Sequence, residues 1–259
     1  MIAAVQLLGY YLSLVFFGAG GLALTGFCLL TAWVPATPRS ERFFQRVIHR
    51  LFGTFVWWGR FIRLMDVTHH GFERLAPGGC VLAANHPGLM DVTFLLARLP
   101  EAVCVFKPAI RRNPVLGAAA RRAGYIGGDG GHDVIRAAAQ KVAAGHTVVI
   151  FPEGTRTRPG EVVGACRPGF VLMARRAGAP IQLVRITWDS NVLAKGQPWW
   201  KLPRLPAHID VTLGPRLAVA AEADTAAVAA GIEAWFRAGP ETAACQPWPA
   251  GVTLLPVSP

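Results

Sequence analysis

The chain has 259 residues, enough for one substantial domain together with an anchoring segment. Hydrophobic residues make up 53% and charged residues only 16%, whereas soluble domains usually carry about 25% charged residues. The formal net charge of +11 attracts polyanions, either nucleic acid or the anionic face of a bilayer. The apolar balance favours the bilayer, and the sequence has no recognised nucleic-acid-binding motif, so a nucleic-acid partner is not expected.

The cysteines are scattered along the chain, at Cys28, Cys80, Cys104, Cys166 and Cys245. Their number is odd and they form no C-x-x-C pair, which argues against a disulfide framework or a cysteine-based zinc site. The pattern indicates buried thiols in a reducing cytoplasm.

The N-terminal segment has no charged side chain from Ile2 to Val34 and predicts a membrane anchor over residues 1–38. A secretory signal peptide is disfavoured because the segment opens with neither Lys nor Arg. Two geometries fit the anchor. One is a single tilted helix. The other is a re-entrant helical hairpin turning at residues 18–21, because the run exceeds one crossing and this stretch is rich in glycine.

Positive charge follows the anchor at once, at Arg39, Arg42, Arg46 and Arg50. Basic residues flank the cytoplasmic end of a membrane segment, so we expect the inner membrane, with the following domain on the cytoplasmic side. Residues 39–66 combine these arginines with apolar side chains at helical spacing, which predicts a basic amphipathic helix. Such a helix either lies in the bilayer interface or packs on a domain core, and it can do both.

Residues 67–239 contain short apolar runs that alternate with helix-like segments, and the Pro-rich tail at 240–259 predicts irregular chain. This alternation predicts an α/β fold with a mostly parallel central sheet flanked by helices. The run at 147–151 is continuously apolar, as expected of a strand buried on both faces. Predicted strands are 80–84, 102–106, 147–151, 181–187 and 209–213, and predicted helices are 91–99, 114–123, 133–143, 168–177 and 225–237.

The first candidate site is Asn85-His86-Pro87-Gly88-Leu89-Met90-Asp91, directly after a predicted strand. Ligands bind at the carboxyl ends of strands in open α/β sheets, and a histidine there is suited to act as a general base. Asp91 begins the next helix and can turn back to accept a hydrogen bond from an imidazole N–H of His86, fixing its tautomer. The alternative is a loop histidine beside a helix-capping aspartate.

The second candidate site is Phe151-Pro152-Glu153-Gly154-Thr155-Arg156, again at the end of a predicted buried strand. Gly154 allows close approach of a ligand, and Arg156 offers a bidentate fork for phosphate. The alternative is a surface turn with solvated charges.

The two motifs together resemble the glycerolipid acyltransferase family, the 1-acylglycerol-3-phosphate (lysophospholipid) acyltransferases and their relatives. That family has Asn-His-x4-Asp followed by Phe-Pro-Glu-Gly-Thr-Arg, here about 60 residues later. The resemblance covers roughly residues 67–215. Further similar segments are 71–75, 78–86, Lys107, 114–117, 124–126, 167–169 and 178–181.

The resemblance implies a reaction. His86 deprotonates the hydroxyl of a lysophospholipid such as 1-acylglycerol-3-phosphate, which attacks the thioester of acyl-CoA or acyl-carrier protein, while Asp91 orients His86. It implies membrane lipid and one of these thioesters as partners, no metal and no further cofactor; the oligomeric state stays open. The residues implied to hold the acceptor head group are Glu153, Gly154, Thr155, Arg156 and Lys107, with Arg156 as the phosphate ligand.

The sequence departs from the family pattern at three places. Gly88 stands where the family usually has Ser, Leu183 where it usually has a second Pro, and the run at 127–130 has Gly where Arg is expected. Arg111, Arg112, Arg121 and Arg122 are either substitutes for that cation or solvated surface charges. Two alternatives therefore remain: the same chemistry on another acceptor, an aminolipid or specialised-metabolite lipid, or a non-catalytic membrane lipid-binding protein.

Overall fold

The computed structural model describes residues 2–128, 131–239 and 247–256, with side chains from residue 6 onward. Cys245, residues 129–130 of the altered run, and parts of the Pro-rich tail lie outside the described residues. The predicted fold class is confirmed: a mostly parallel sheet is flanked by helices and preceded by an apolar helix.

The described part of the chain contains seven α-helices and eight strands. The helices are α1 Ile2–Leu30, α2 Pro38–Phe61, α3 Asp91–Leu96, α4 Gly117–Arg122, α5 His132–Ala143, α6 Gly169–Ala177 and α7 Thr225–Ala238. The strands are β1 Met65–His70, β2 Cys80–Ala84, β3 Val103–Phe106, β4 Ile126–Gly127, β5 Thr147–Ile150, β6 Ile181–Trp188, β7 Ala207–Val219 and β8 Val252–Leu255.

The sheet has the strand order β1-β7-β6-β2-β5-β3-β4, with β8 paired to β7. Strand β2 is central and runs parallel to both β5 and β6, and β3 runs parallel to β5 and β4. Because parallel strands end at the same edge of the sheet, the loops after β2, β3 and β5 lie together. That edge therefore carries His86, Lys107 and the 151–156 turn.

The core has two apolar clusters, one on each face of the sheet. One includes Phe170, Trp235 and Phe236 from α6 and α7, and the other includes residues of α1 to α4. All five residues of β2 are buried, as expected of a strand covered on both faces.

Helix α1 runs without interruption through residues 18–21, so the alternative of a hairpin turn there is wrong. The glycines serve close packing. A Cβ on Gly21 would lie 2.1 Å from Cγ1 of Val115, and a Cβ on Gly20 would lie 3.3 Å from Leu51. From Gln6 to Leu30 the helix is long and apolar enough to cross a membrane, by length and composition alone.

Helix α2 buries its apolar face, as one of the two predicted geometries requires. A capping box of Thr37 and Ser40 starts the helix, and the buried side chains include Phe44, Ile48 and Phe52. Phe43, Trp57 and Phe61 of the same helix remain exposed.

The strand predictions missed three strands at the edges of the sheet. Ile126–Gly127 form β4 at one end, paired with β3. Met65–His70 form β1, and the tail predicted to be irregular contains β8, paired antiparallel with the end of β7. Strand β7 also extends well beyond 209–213. These segments are joined to the sheet by backbone hydrogen bonds at its edges, where side chains are only partly buried and leave a weak apolar pattern.

Candidate active site

The loop that carries His86 is fixed at its start by Asn85, which is buried and lies directly after β2. Its amide oxygen accepts a hydrogen bond from Ile186 N–H at 2.7 Å, and its amide nitrogen donates to Ile186 O at 2.9 Å and to Val162 O at 3.0 Å. The sequence motif contained this residue without assigning it a role. The structure shows that it ties the loop to the neighbouring strand β6.

The imidazole of His86 and the carboxylate of Asp91 are brought together, with Nδ1 and Oδ2 2.7 Å apart. Asp91 is fully buried, and its Oδ2 also accepts the Gly88 N–H at 2.8 Å. Trp188 Nε1 donates to the other oxygen, Oδ1, at 2.8 Å. An ionised carboxylate only accepts hydrogen bonds, so His86 donates through Nδ1 and its Nε2 carries the lone pair.

Two opposing effects act on Asp91. Burial raises the pKa of its carboxyl, and hydrogen bonds from His86, Gly88 and Trp188 oppose that rise. The three donors thus provide the polar contacts that an ionised carboxylate needs when it is removed from water.

Phe151 covers one face of the imidazole. The two ring centroids are 4.0 Å apart and the planes are inclined by 17°. Phe151 follows β5 directly, so the neighbouring parallel strand supplies the surface on which the imidazole rests.

Glu153 is buried, and protein donors surround its carboxylate. Its Oε1 accepts the His86 N–H at 3.0 Å and the Thr157 hydroxyl at 2.8 Å, while its Oε2 accepts the Gly164 N–H at 2.8 Å. In addition, Thr157 N–H donates to His86 O at 2.7 Å. These contacts differ from the acceptor-binding role implied by the resemblance. They place Glu153 as the link between the His86 loop and the chain after β5.

Residues 154–156 of the turn lie toward the surface. Gly154 has a φ of +64° and closes the turn, because its N–H donates to Phe151 O at 3.0 Å. Thr155 is exposed, and Arg156 is half-buried. Arg156 Nη1 donates to the carbonyl oxygens of Leu193 and Ala194 at 2.9 and 3.3 Å.

Lys107 and Arg111 place two more cations at this edge of the sheet. Lys107 follows β3 and is exposed, and a 3-10 turn over Pro108–Arg112 brings Arg111 beside β4. A Cβ on Gly127 would lie 3.1 Å from Cδ of Arg111. Arg111 therefore lies beside the run in which the family has its arginine.

Arg121 and Arg122 bind the protein's own backbone. Arg121 Nη1 donates to Arg111 O at 2.6 Å, and Arg122 Nη1 donates to Val34 O at 2.7 Å. The guanidinium of Arg122 also lies 4.5 Å from the ring centroid of Phe44. Arg121 and Arg122 are thus held by contacts within the protein. Arg111 is better placed than either of them to contact a bound anion.

Two clefts adjoin the site. An apolar cleft lies between α1, α2, α3 and α4, lined among others by Phe17, Phe52, Val92, Leu96 and Ala119. A polar cleft is lined by Pro87 and, among others, by Arg158, Arg185, Trp188 and Arg204. Within the residues that the structure describes, no group of three or more His, Cys, Asp or Glu is arranged to hold a metal ion.

Comparison with known proteins finds acyltransferases. A family model described as acyltransferase matches residues 66–187, a segment that contains both motifs. A 1-acyl-sn-glycerol-3-phosphate acyltransferase of Helicobacter pylori is 30% identical over 128 residues, covering 47% of this chain and 54% of that protein. A chloroplastic 1-acyl-sn-glycerol-3-phosphate acyltransferase of Brassica napus is 25% identical over 122 residues, covering 45% of this chain and 35% of that protein.

The fold is that of a solved structure. The 1-acyl-sn-glycerophosphate (LPA) acyltransferase PlsC from Thermotoga maritima superposes with a TM-score of 0.70 at 20% identity, over 95% of this chain and 97% of that one. Residues 66–187 are thus similar to an acyltransferase domain, within a chain that has the same fold as this PlsC. The chain spans about half of the length of the Helicobacter pylori relative and about a third of the length of the Brassica napus relative.

Proposed function

We propose that this protein transfers a fatty acyl group from a thioester to the hydroxyl of a lysophospholipid such as 1-acylglycerol-3-phosphate. The observation that carries the proposal is the 2.7 Å contact between His86 Nδ1 and the buried Asp91, which leaves the Nε2 lone pair for a substrate proton. The names of the Helicobacter pylori and Brassica napus relatives support this acceptor.

The proposed reaction uses one general base. His86 Nε2 takes the proton of the acceptor hydroxyl as its oxygen attacks the thioester carbonyl carbon. The C–S bond then breaks, and the thiolate leaves and takes a proton back from the imidazolium. Asp91 stabilises that imidazolium and holds the ring in the required tautomer. Thiolates leave readily, so a positioned base and proximity account for much of the rate.

We place the acyl chain of the donor in the apolar cleft. Val92 and Leu96 line it and belong to the helix that begins with Asp91, the partner of the proposed base. The cleft is lined almost entirely by hydrocarbon and aromatic side chains, the surroundings that an acyl chain prefers to water.

We assign the phosphate of the acceptor to Lys107, Arg111 and Arg156, with Thr155 and the Gly154 backbone beside them. Lys107 and Arg111 have no ion pair with an acidic side chain within the described residues, and the same holds for Arg156. Arg111 here supplies the cation missing from the run at 127–130. Glu153 positions the loop of His86 and does not touch the acceptor.

We also propose that α1 lies along the membrane surface, embedded in one leaflet. Tyr10 OH donates to Trp199 O at 2.7 Å and Thr25 Oγ1 to Pro114 O at 2.7 Å, so the domain packs along about 22 Å of the helix. A helix held lengthwise against the domain cannot also stand free across the bilayer. Its outer face is apolar, with Leu8, Val15, Leu22 and Leu29 each more than half exposed.

The experiment is an acceptor assay on the purified protein in detergent. Long-chain acyl-CoA or acyl-carrier protein is supplied with or without lysophosphatidate, thiol release is followed, and the lipid product is identified by mass spectrometry. His86→Ala is expected to lower kcat at least about a hundredfold. The control is His132→Ala, an exposed histidine at the start of α5. Full turnover by His86→Ala would refute the base assignment.

The same assay addresses the two other readings. The glycine in place of the family's arginine favours a different acceptor, such as an aminolipid or specialised-metabolite lipid, and an acceptor panel in place of lysophosphatidate tests it. A lipid-binding protein without turnover would bind acyl-CoA and release no thiol with any acceptor of the panel.

A further inference from the structure

Trp188 occupies the space where a side chain at residue 88 would lie. A Cβ on Gly88 would come within 2.5 Å of Trp188 Cζ2 and within 2.9 Å of two further atoms of the indole ring. Trp188 is the last residue of β6, and its ring also packs on Phe94 of α3, with centroids 5.4 Å apart. The absence of a side chain at Gly88 therefore makes room for the indole.

The indole nitrogen performs a specific task at this position. Nε1–H donates to Asp91 Oδ1 at 2.8 Å, whereas the donors to Oδ2 are His86 and the Gly88 backbone. Among the described residues, Trp188 is the one that donates a hydrogen bond to Oδ1 of Asp91. A carboxylate held by both oxygens cannot rotate about its Cβ–Cγ bond, so its plane stays directed at the imidazole.

The chain around Trp188 is itself fixed to the loop of His86. Gly88 forms an antiparallel bridge with Ala194, and Leu89 N–H donates to Leu193 O at 3.3 Å. On the strand side, Asn85 joins both backbone groups of Ile186, two residues before Trp188. The indole thus reaches Asp91 from a framework that is bonded to both ends of the loop.

We propose that Trp188 is a positioning residue of the acyl transfer, and that Gly88 and Trp188 form a matched pair in which the indole N–H replaces a hydroxyl donor at residue 88. This inference rests on the proposed role of His86 as base. The indole acts through Asp91: it fixes the carboxylate plane and stabilises its ionised form. His86 is the titratable group in contact with this carboxylate in the described structure.

The sign of the pH effect follows from the contacts of Asp91. Burial raises the pKa of this carboxyl, and the Trp188 hydrogen bond is one of the contacts that lower it. Without the indole N–H the pKa rises further, so the carboxylate is lost at a higher pH. The acidic limb of the kcat profile should then move upward, which loss of packing alone would not produce.

The test measures kcat, KM and the pH profile for Trp188→Phe, Gly88→Ser and the double variant. Trp188→Phe is expected to lower kcat about tenfold, with little change in the acceptor KM, and to move the acidic limb up by about one pH unit. Gly88→Ser alone is expected to be at least as impaired, because its side chain meets the indole. In the double variant the smaller ring frees that space, and the hydroxyl supplies a donor close to Asp91. It should therefore be more active than either single variant.

Trp248→Phe is the matched control, because it removes an indole N–H that has no hydrogen-bond partner within the described residues. It should keep the kcat and pH profile of the original protein. If His86→Ala is inactive while Trp188→Phe keeps both, Trp188 only fills space and this proposal is wrong. If the double variant shows only the product of the two single effects, the matched pair is wrong. If His86→Ala is active, the proposed base itself fails.

A second measurement is independent of turnover. The proton of the His86 Nδ1–H···Asp91 hydrogen bond is observable by NMR on histidine labelled with ¹⁵N. Its resonance should shift in Trp188→Phe and stay in place in Trp248→Phe. An unchanged resonance in Trp188→Phe would overturn the positioning role even if the acceptor has not been found.

Discussion

The imidazole of His86 lies almost parallel to the ring of Phe151, with the ring centroids 4.0 Å apart. One ring belongs to the loop after β2 and the other to the loop after β5, so this contact joins the two motifs of the site. It limits the tilt of the imidazole, while Asp91 limits its rotation.

Replacing Phe151 by Leu should lower kcat about tenfold and leave the acceptor KM nearly unchanged. The ring that holds the imidazole is lost, and small errors in the placement of a base are costly for rate. Steady-state kinetics test this. Phe106→Leu is the comparison, because Phe106 is the last residue of the adjacent strand β3 and lines the apolar cleft. It should change KM for the acyl donor instead, and a large KM effect of Phe151→Leu would contradict the prediction.

Glu153→Gln should lower kcat and thermal stability together while the acceptor KM stays the same. The side-chain amide of Gln would point its own N–H group at one of the N–H or O–H groups that now donate hydrogen bonds to the carboxylate. A buried unsatisfied group is destabilising by about 1–3 kcal/mol. Thermal unfolding and kinetics of the same preparations give the answer. A stable variant with a raised acceptor KM would show instead that Glu153 binds the head group.

Arg111→Gln should raise KM for a phosphate-bearing acceptor about tenfold and leave kcat within a factor of two or three. Loss of one charge-assisted contact weakens binding by about 1.5–3 kcal/mol. Arg136→Gln is the control, since Arg136 pairs with Asp133 on the surface of α5. Equal KM values for Arg111→Gln and the control would remove Arg111 from the site.

Ala119→Leu should shift donor preference toward shorter acyl chains. Ala119 is buried in α4 and lines the apolar cleft, so added carbon atoms occupy space that we assign to the chain. Each methylene excluded from the cleft should weaken donor binding by about 0.8 kcal/mol. Competition between donors of different length, read by mass spectrometry, tests this; an unchanged preference would place the chain elsewhere.

Replacing Val15 and Leu22 by Glu should release the protein from membranes. Both side chains are exposed on α1, and a charge placed in the hydrocarbon is unfavourable by about 2–3 kcal/mol. Leu254→Glu on β8 is the control and should stay bound to liposomes in a sedimentation assay. Cysteine labels at the two ends of α1 should react from the same side of a sealed vesicle. Labelling from opposite sides would show that the helix crosses the bilayer.

The central strands of the fold and the two motifs that follow them were predictable from the sequence, because they depend on strong local signals. The buried runs at 80–84 and 147–151 are continuously apolar, and the two motifs follow them directly. The contact between His86 and Asp91 is local as well, five residues apart, and was predictable from a loop that leads into a helix.

Contacts distant in sequence were missed for the opposite reason. Trp188 lies 97 residues from Asp91, so no spacing rule connects it with the site. The sequence shows only that Gly88 lacks the side chain usual in the family, and the structure shows that an indole fills this space. The resemblance implies that Glu153 binds the acceptor, but a motif identifies residue types and does not show which way a buried carboxylate points.

Helix α1 has one further consequence, since Phe16, Phe17, Gly21 and Leu24 form one wall of the apolar cleft. The opposite face of the same helix points outward, so in our proposal one helix both lines the cleft and contacts the membrane lipid. A shortened protein that begins after α1 would lose that wall and let water into the cleft. Such a protein would be easier to handle in solution and yet unable to hold a long hydrocarbon substrate.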